Sequence, residues 1–270
     1  MDGYLNLLNS VFEIAKLAGI AIMRVYKNED DFQITLKADN TPVTIADLKA
    51  HDLIVEHLKK LTPHIPVLSE ESADISFAER QTWTQYWLVD PLDGTKEFID
   101  HTDEFSVNIA LIENHEPVLG VIYAPALGIG YKAARGFGAF KCTQEDTHEY
   151  LQQAYNIEKD HPLRVTVSRR HGVKSKQCLE AFGKHAIVPC GSALKFGLVA
   201  EGIADIYLRV GNTSEWDTAA GQCILEEAGG RVFDFQGNNL RYNTKDSLVN
   251  PEFLAINDLK KNWMDILVKF

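Results

Sequence analysis

The chain has 270 residues, 45% hydrophobic and 24% charged, without the bias that marks disordered or fibrous proteins. That length can bury a sizeable core, as one large domain or two packed ones. A formal net charge of −11 argues against a general nucleic-acid surface, so an anionic substrate has to be met by metal ions or a local cluster of cations.

Leu5, Leu8, Phe12, Ala15, Ala18, Ile22 and Val25 recur at helical spacing. Glu13, Lys16 and Arg24 interrupt the stretch, which predicts an amphipathic helix over residues 4–26 rather than a membrane span. Met1-Asp2-Gly3 carries no basic n-region, so no signal peptide is expected. A short strand is predicted over 32–36 and a turn at Asp39-Asn40. A second helix then opens around Thr44 and runs to about Leu61, before Pro63. Thr44 followed by Asp47 resembles a capping box with Asp in the place of Glu or Gln. A strand over 65–68 delivers Ser69-Glu70-Glu71-Ser72.

The apolar run from Tyr86 to Val89 reads as a buried strand ending in acid. Asp90 and Asp93 lie three apart with Pro91 between them, a pattern that favours a turn. Gly94 lets the backbone come close to a ligand, and Thr95 places a hydroxyl at a helix start. Carboxylates beside backbone N–H groups suit divalent cations that hold a phosphate against a helix N-terminus.

Strands over 105–112, 118–123 and 130–133, with turns at 114–117 and Gly136–Gly138, read as an antiparallel meander. The polar, irregular stretch 141–162 marks a boundary between an N-terminal α+β half (1–150) and a C-terminal α/β half (151–270). In the second half, strands are predicted over 163–167, 185–188, 205–208 and 231–233. Helices are predicted over 174–182, 192–201, 217–228 and 258–269. The expected architecture is α/β, with helical layers covering two sheets. Cys142, Cys178, Cys190 and Cys223 show no CxxC pairing and read as reduced, mostly buried thiols of a cytoplasmic protein.

Acids stand at predicted element ends in four places: Asp47, Glu70, the Asp90/Asp93 pair, and Asp217 in Ser214-Glu215-Trp216-Asp217. Mg²⁺ prefers such carboxylates, backbone carbonyls and substrate phosphate, and two ions can clamp an in-line phosphoryl displacement. Each acid also has a plainer reading. Asp47 could be only a helix cap, Glu71 a solvated neighbour, and the Asp90–Gly94 stretch a loop turn. Trp87 and Trp216 read as packing residues. No HExxH or comparable zinc pattern is present.

Asp90-Pro-Leu-Asp93-Gly-Thr95, with Ser69-Glu70-Glu71-Ser72 upstream and Trp216-Asp217 downstream, resembles the lithium-sensitive, metal-dependent phosphatases of the inositol monophosphatase superfamily. Lys96-Glu97-Phe98 after the threonine is most similar to the bacterial type of 3′(2′),5′-bisphosphate nucleotidase. Lys37–Thr44, Asn108–Ile112, Val199–Gly202 and Trp216–Gly221 also resemble that branch. The resemblance implies the αβαβα sandwich shared with fructose bisphosphatases. It also implies two or three Mg²⁺ ions. Glu70, Asp90 and the Leu92 carbonyl would hold one; Asp90, Asp93 and Asp217 would hold a second. Gly94 and Thr95 would offer N–H groups to the scissile phosphate. Thr95, backed by Asp47 or Glu70, would position and deprotonate the attacking water. His171, in Ser168-Arg169-Arg170-His171, together with Ser192, Lys195 and Arg209, would meet the rest of the nucleotide.

The implied reaction removes the 3′-phosphate of adenosine 3′,5′-bisphosphate, giving AMP and phosphate, with the sulfated analogue as a second candidate. That activity belongs to sulfur assimilation. The resemblance implies a cytoplasmic protein, with a peripheral place on the cytoplasmic face of the inner membrane as the second expectation, and no anchor is expected from the sequence. Oligomeric state is left open. The alternatives are the same chemistry on inositol monophosphate or fructose 1,6-bisphosphate, or a non-catalytic nucleotide binder that kept the fold. Haloacid-dehalogenase chemistry fails on spacing, because Pro91 occupies the place of its nucleophilic aspartate.

Overall fold

The computed structural model describes residues 2–27, 34–36, 42–143, 147–151, 162–169 and 173–263. Helix α1 (Asp2–Tyr26) buries Leu8, Val11, Phe12, Ala15, Ala18, Ile22 and Val25, the stripe that a 3.6-residue repeat produces. By length and composition alone α1 could cross a membrane, but here that stripe packs on the sheet described below. Strands β1 (Ile34–Leu36) and β2 (Pro42–Thr44) pair antiparallel. The predicted residues 32–33 and the Asp39-Asn40 turn lie outside the described residues. Helix α2 (Ile45–Leu61) opens with the predicted box: Thr44 Oγ1 accepts from Ala46 N at 3.1 Å, and Asp47 Oδ2 accepts from Thr44 N at 2.8 Å.

Strand β3 (Val67–Ser69) leads through a 3₁₀ turn (Glu70–Ser72) and α3 (Phe77–Arg80) to β4 (Gln85–Asp93) and α4 (Thr95–Ile99). The meander follows as β5 (Ser106–Glu113), β6 (Glu116–Ala124), β7 (Ile129–Ala134), β8 (Gly138–Thr143) and β9 (His148–Leu151). These form a seven-stranded sheet in the order β3-β4-β5-β6-β7-β8-β9, parallel only between β3 and β4. Two expectations are corrected here. The β5–β6 turn is only Asn114-His115, both at positive φ (48° and 68°), as a two-residue hairpin of that hand requires. The stretch 141–162 is not irregular throughout. Strands continue to Leu151, and β9 reads as loop because it is an edge strand with three exposed side chains.

The rest of the chain forms β10 (Leu163–Val167), α5 (Val173–Ala181), β11 (His185–Pro189), α6 (Leu194–Ala200), β12 (Ile206–Arg209), α7 (Ala219–Glu227), β13 (Arg231–Asp234) and β14 (Phe253–Ile256). Its sheet runs β11-β10-β12-β14-β13. The short apolar β14 was not anticipated. Asp217 does not begin α7 but closes a separate 3₁₀ turn (Glu215–Asp217). The helix predicted over 258–269 does not form over 258–263; the remainder lies outside the described residues. There Asp258 Oδ1 accepts from Lys260 N at 2.9 Å, and Trp263 Nε1 donates to the Asp258 carbonyl at 2.7 Å, an Asx turn that diverts the backbone from helix.

Side-chain alternation sorts these elements into five layers. On β4, Trp87 and Val89 face the α1/α2 cluster, while Tyr86 and Leu88 face the opposite cluster. That second cluster runs through Phe196 of α6 and Ile224 of α7 to Val232 and Phe253 of the small sheet. The small sheet's far face packs Val165, Ile206 and Leu254 against Leu179 of α5 and Trp263. The order is helices, large sheet, helices, small sheet, helix: the αβαβα sandwich that the resemblance implied. All four cysteines are buried and free, as expected.

Candidate active site

Asp90 and Asp93 are three residues apart, so a regular strand would point them to opposite faces. Strand β4 is not regular there, and the turn predicted at Pro91 is instead a bulge. Asp90 pairs with Asn108 and Asp93 with Ser106, so one extra residue of β4 is accommodated where Pro91 cannot donate to the ladder. Leu92, rather than residue 91, then joins Trp87 and Val89 in the α1/α2 core. Both acids emerge on the opposite side. Gly94, at φ 89°, turns the chain into α4; a Cβ there would sit 3.1 Å from the Glu104 carbonyl.

One carboxylate oxygen from each of Asp90, Asp93 and Asp217 lies within 4.8 Å of the others. Each acid is held by a donor. Asp90 Oδ1 accepts from Leu92 N at 3.0 Å, and Asp217 Oδ2 from Ser214 N at 2.8 Å, in a capping box of its own. Asp93 Oδ2 accepts from Asn108 Nδ2 at 3.2 Å and, across the cleft, from Ala193 N at 2.6 Å. These bonds do not offset the crowding of charge. All three carboxyls are pushed above the ordinary carboxylate range, first by burial. Glu70 and Asp93 add to the effect on Asp90, and Asp93 adds to the effect on Asp217; Lys195 opposes it at Asp93. This is the donor set and the excess negative charge that a hard divalent cation fits. Glu70 stands outside the trio, but it is the largest neighbouring charge acting on Asp90.

Asp47 both caps α2 and reaches the site. Its Oδ2 accepts from Thr44, and its Oδ1 accepts from Thr95 Oγ1 at 3.3 Å. Burial, with Glu71 and Glu70 nearby, raises its carboxyl to about 6 despite the Thr44 hydrogen bonds. The Thr95 hydroxyl also lies 3.2 Å from the Leu92 carbonyl. A carboxylate with a pKa near neutrality, bonded to a hydroxyl beside the acid trio, can take up a proton.

Above the trio opens a cavity of about 320 Å³ between the two sheets, lined by Gly94, Lys96, Ser168, Ser192, Lys195 and Arg209 among others. Lys195 is buried, its ammonium donating to the Ser192 and Cys190 carbonyls and standing 5.1 Å from the Tyr207 ring centre. Arg209 is the last residue of β12 rather than beyond it, and donates to the Asn212 carbonyl. Its Nε is buried with no partner among the described residues. His171 lies outside the described residues. The sequence reading missed Asn108, held by Ser106 Oγ at 2.9 Å, and Ala193, whose contribution is a backbone N–H that no side-chain pattern can reveal.

A family model described as the inositol monophosphatase family matches residues 5–265. The chain is 45% identical over 248 residues to the 3′(2′),5′-bisphosphate nucleotidase CysQ of Escherichia coli K12, covering 92% of this chain and 98% of that protein. It is 41% identical over 263 residues to the CysQ of Haemophilus influenzae, covering 97% and 96%. Among solved structures, CysQ from Bacteroides thetaiotaomicron, a bacterial member of the inositol monophosphatase family, superposes with a TM-score of 0.83 at 36% identity, covering 95% of this chain and 99% of that one. With the acid trio, the five-layered fold and a match along almost its whole length, the chain belongs to the inositol monophosphatase family, a family of metal-dependent phosphatases.

Proposed function

We propose that this protein is a Mg²⁺-dependent, lithium-sensitive 3′(2′),5′-bisphosphate nucleotidase that converts adenosine 3′,5′-bisphosphate to AMP and phosphate. The sulfated analogue is a second substrate, in the service of sulfur assimilation. The observation that carries the reading is the acid trio beside the Asp47–Thr95 pair, beneath a cavity walled by Lys195 and Arg209. The CysQ relatives supply the nucleotide. Glu70, Asp90 and the Leu92 carbonyl would hold one ion, and Asp90, Asp93 and Asp217 another, with two or three in the working state. Bound Mg²⁺ would neutralise phosphate charge and acidify the attacking water.

The chain's own groups do the rest. Gly94 and Thr95 present N–H groups to the scissile phosphate. The Thr95 hydroxyl orients the water, and Asp47 receives the proton. Lys195, Ser192 and the Arg209 guanidinium meet the second phosphate, and His171 is carried over from the resemblance as a further nucleotide contact. A bisphosphate uses both charged ends of this cavity; an inositol monophosphate would leave the cationic wall unmet. Four buried thiols suit a reducing, cytoplasmic setting. The test is phosphate release from adenosine 3′,5′-bisphosphate with Mg²⁺, repeated with lithium and with inositol 1-phosphate. Lithium-sensitive release from the nucleotide is expected. Release chiefly from inositol 1-phosphate would overturn the substrate, and no release from either would overturn the enzyme.

A further inference from the structure

Arg169 stands beside the segment that leads to His171, where a cation is easily read as a ligand for substrate phosphate. Its guanidinium is already committed elsewhere. Nε donates to Glu104 Oε2 at 2.6 Å, and a second nitrogen donates to Glu104 Oε1, closing a two-point fork. Glu104 Oε2 also accepts from Gly191 N at 2.8 Å. One carboxylate therefore ties three segments together: the loop before β5, the chain leaving β10, and the loop entering α6. Burial alone would raise the Glu104 carboxyl, but Arg169 and the Gly191 N–H outweigh it and hold it below its usual range. Gly191 fits because it has no side chain: a Cβ there would lie 2.7 Å from the Glu104 carbonyl oxygen.

Two residues beyond that tie, Ala193 N is fixed on Asp93 at 2.6 Å. Between the two fixed points Ser192 sits at φ 46°, a left-handed conformation that a residue with a side chain rarely adopts and that persists only where its surroundings impose it. Ser192, Ala193, Lys195 and Ser168 line the cavity, while Glu104 and Arg169 do not. The clamp lies behind the wall.

We propose that Glu104 and Arg169 are positioning residues for the bisphosphate substrate: they hold Ser168 and Ser192–Ala193 in the shape that receives it, and Arg169 does not bind substrate itself. This rests on the substrate reading above. The test compares Glu104→Gln and Arg169→Met, measuring kcat and KM for adenosine 3′,5′-bisphosphate and, as a small monoester, p-nitrophenyl phosphate. Hydrogen exchange at the Gly191 and Ala193 amides is followed in the same proteins.

Both variants are expected to raise KM for the bisphosphate by about tenfold, with kcat and small-ester turnover within about threefold of the parent. Exchange at both amides should quicken, and Arg169→Lys, which keeps the charge without the fork, should recover part of the loss. If Arg169 instead binds substrate, the two variants move KM in opposite directions, because removing the Glu104 charge frees the guanidinium; that result overturns the proposal. Unchanged KM with unchanged exchange overturns it as well. Should the parent protein hydrolyse only the small ester, the substrate reading fails by itself, and the exchange rates still decide whether the clamp orders the loop.

Discussion

Asp90, Asp93 and Asp217 on the cavity floor differ from Lys195 and Arg209 on its wall in how far their charges are already compensated. The acids are braced by N–H donors, yet all three carboxyls remain pushed above their ordinary range, first by burial and then by repulsion from neighbouring acids, Glu97 in the case of Asp93. The cations are already turned onto backbone carbonyls: Lys195 onto those of Ser192 and Cys190, Arg209 onto that of Asn212. The floor therefore carries charge that only a cation relieves. The wall offers an anion what is left over: the remaining ammonium hydrogen of Lys195 and the guanidinium N–H groups of Arg209 not spent on Asn212. Metal should bind the floor even without substrate, and the wall should matter only when the substrate brings a second anionic group.

The largest expected effect breaks the floor. Asp90→Asn or Asp93→Asn should lower kcat/KM by about a thousandfold with Mg²⁺, since charge stabilisation at the reacting phosphate fails. Isothermal titration should show metal binding lost in parallel; retained binding would shift the role of the trio away from metal. Next is Asp47→Asn, expected to lower kcat by about a hundredfold while leaving the metal titration unchanged. In the parent enzyme, activity should fall on the acid side near pH 6, where the raised Asp47 carboxyl takes up its proton, and the variant should lose that limb. A similar loss in Glu70→Gln at saturating Mg²⁺, with Asp47→Asn fully active, would move the base to Glu70.

A smaller, pH-dependent effect sharpens the contrast. The floor carboxyls have folded-state pKa values above their unfolded ones, so without metal the folded state holds more protons than the unfolded state. Metal-free stability should fall as pH rises out of the ordinary carboxylate range toward the raised values. Metal competes with those protons, so Mg²⁺ affinity should strengthen over the same interval and binding should release protons. Thermal melts with and without Mg²⁺, and calorimetry in buffers of different ionisation enthalpy, measure both. A metal-free protein that grew more stable with pH would contradict the geometry. The smallest effects belong to the wall. Lys195→Met and Arg209→Met should each raise KM for adenosine 3′,5′-bisphosphate about tenfold without changing kcat, and should leave p-nitrophenyl phosphate turnover alone.

The floor acids stood out in the sequence at predicted element ends and were grouped by the resemblance. The structure shows that their braces are largely local, although only the Thr44–Asp47 box was read from spacing. Asp47 with Thr44 and Asp217 with Ser214 are acids capping turns three residues back, and Asp90 accepts from Leu92 N two residues on. Such spacings survive in one dimension. The layers were legible too, through the succession of predicted strands and helices and the unbroken apolar run Tyr86–Val89 of a strand buried on both faces. What escaped is long-range or carried by backbone. Ala193 reaches Asp93 across 100 residues with an N–H that every residue but proline owns. The Glu104–Arg169 fork joins residues 65 apart. Strand β14 is four apolar residues, too short for a period, and β9 shows three polar faces to solvent because it is an edge.

The bulge in β4 gives the site a reading frame. Side chains at 91 and 92 could drift so long as a residue without a ladder donor and an apolar core residue remain. Their number is tied to the bulge. Regularising the strand at its present length would leave the acids three apart on opposite faces and swing one through the sheet into the α1/α2 layer, among Trp87, Val89 and Phe98. A one-residue insertion between Asp90 and Asp93 that keeps a single bulge should do the same and be more damaging than any single substitution at those two positions, whereas a one-residue deletion would set the acids two apart on one face of a regular strand.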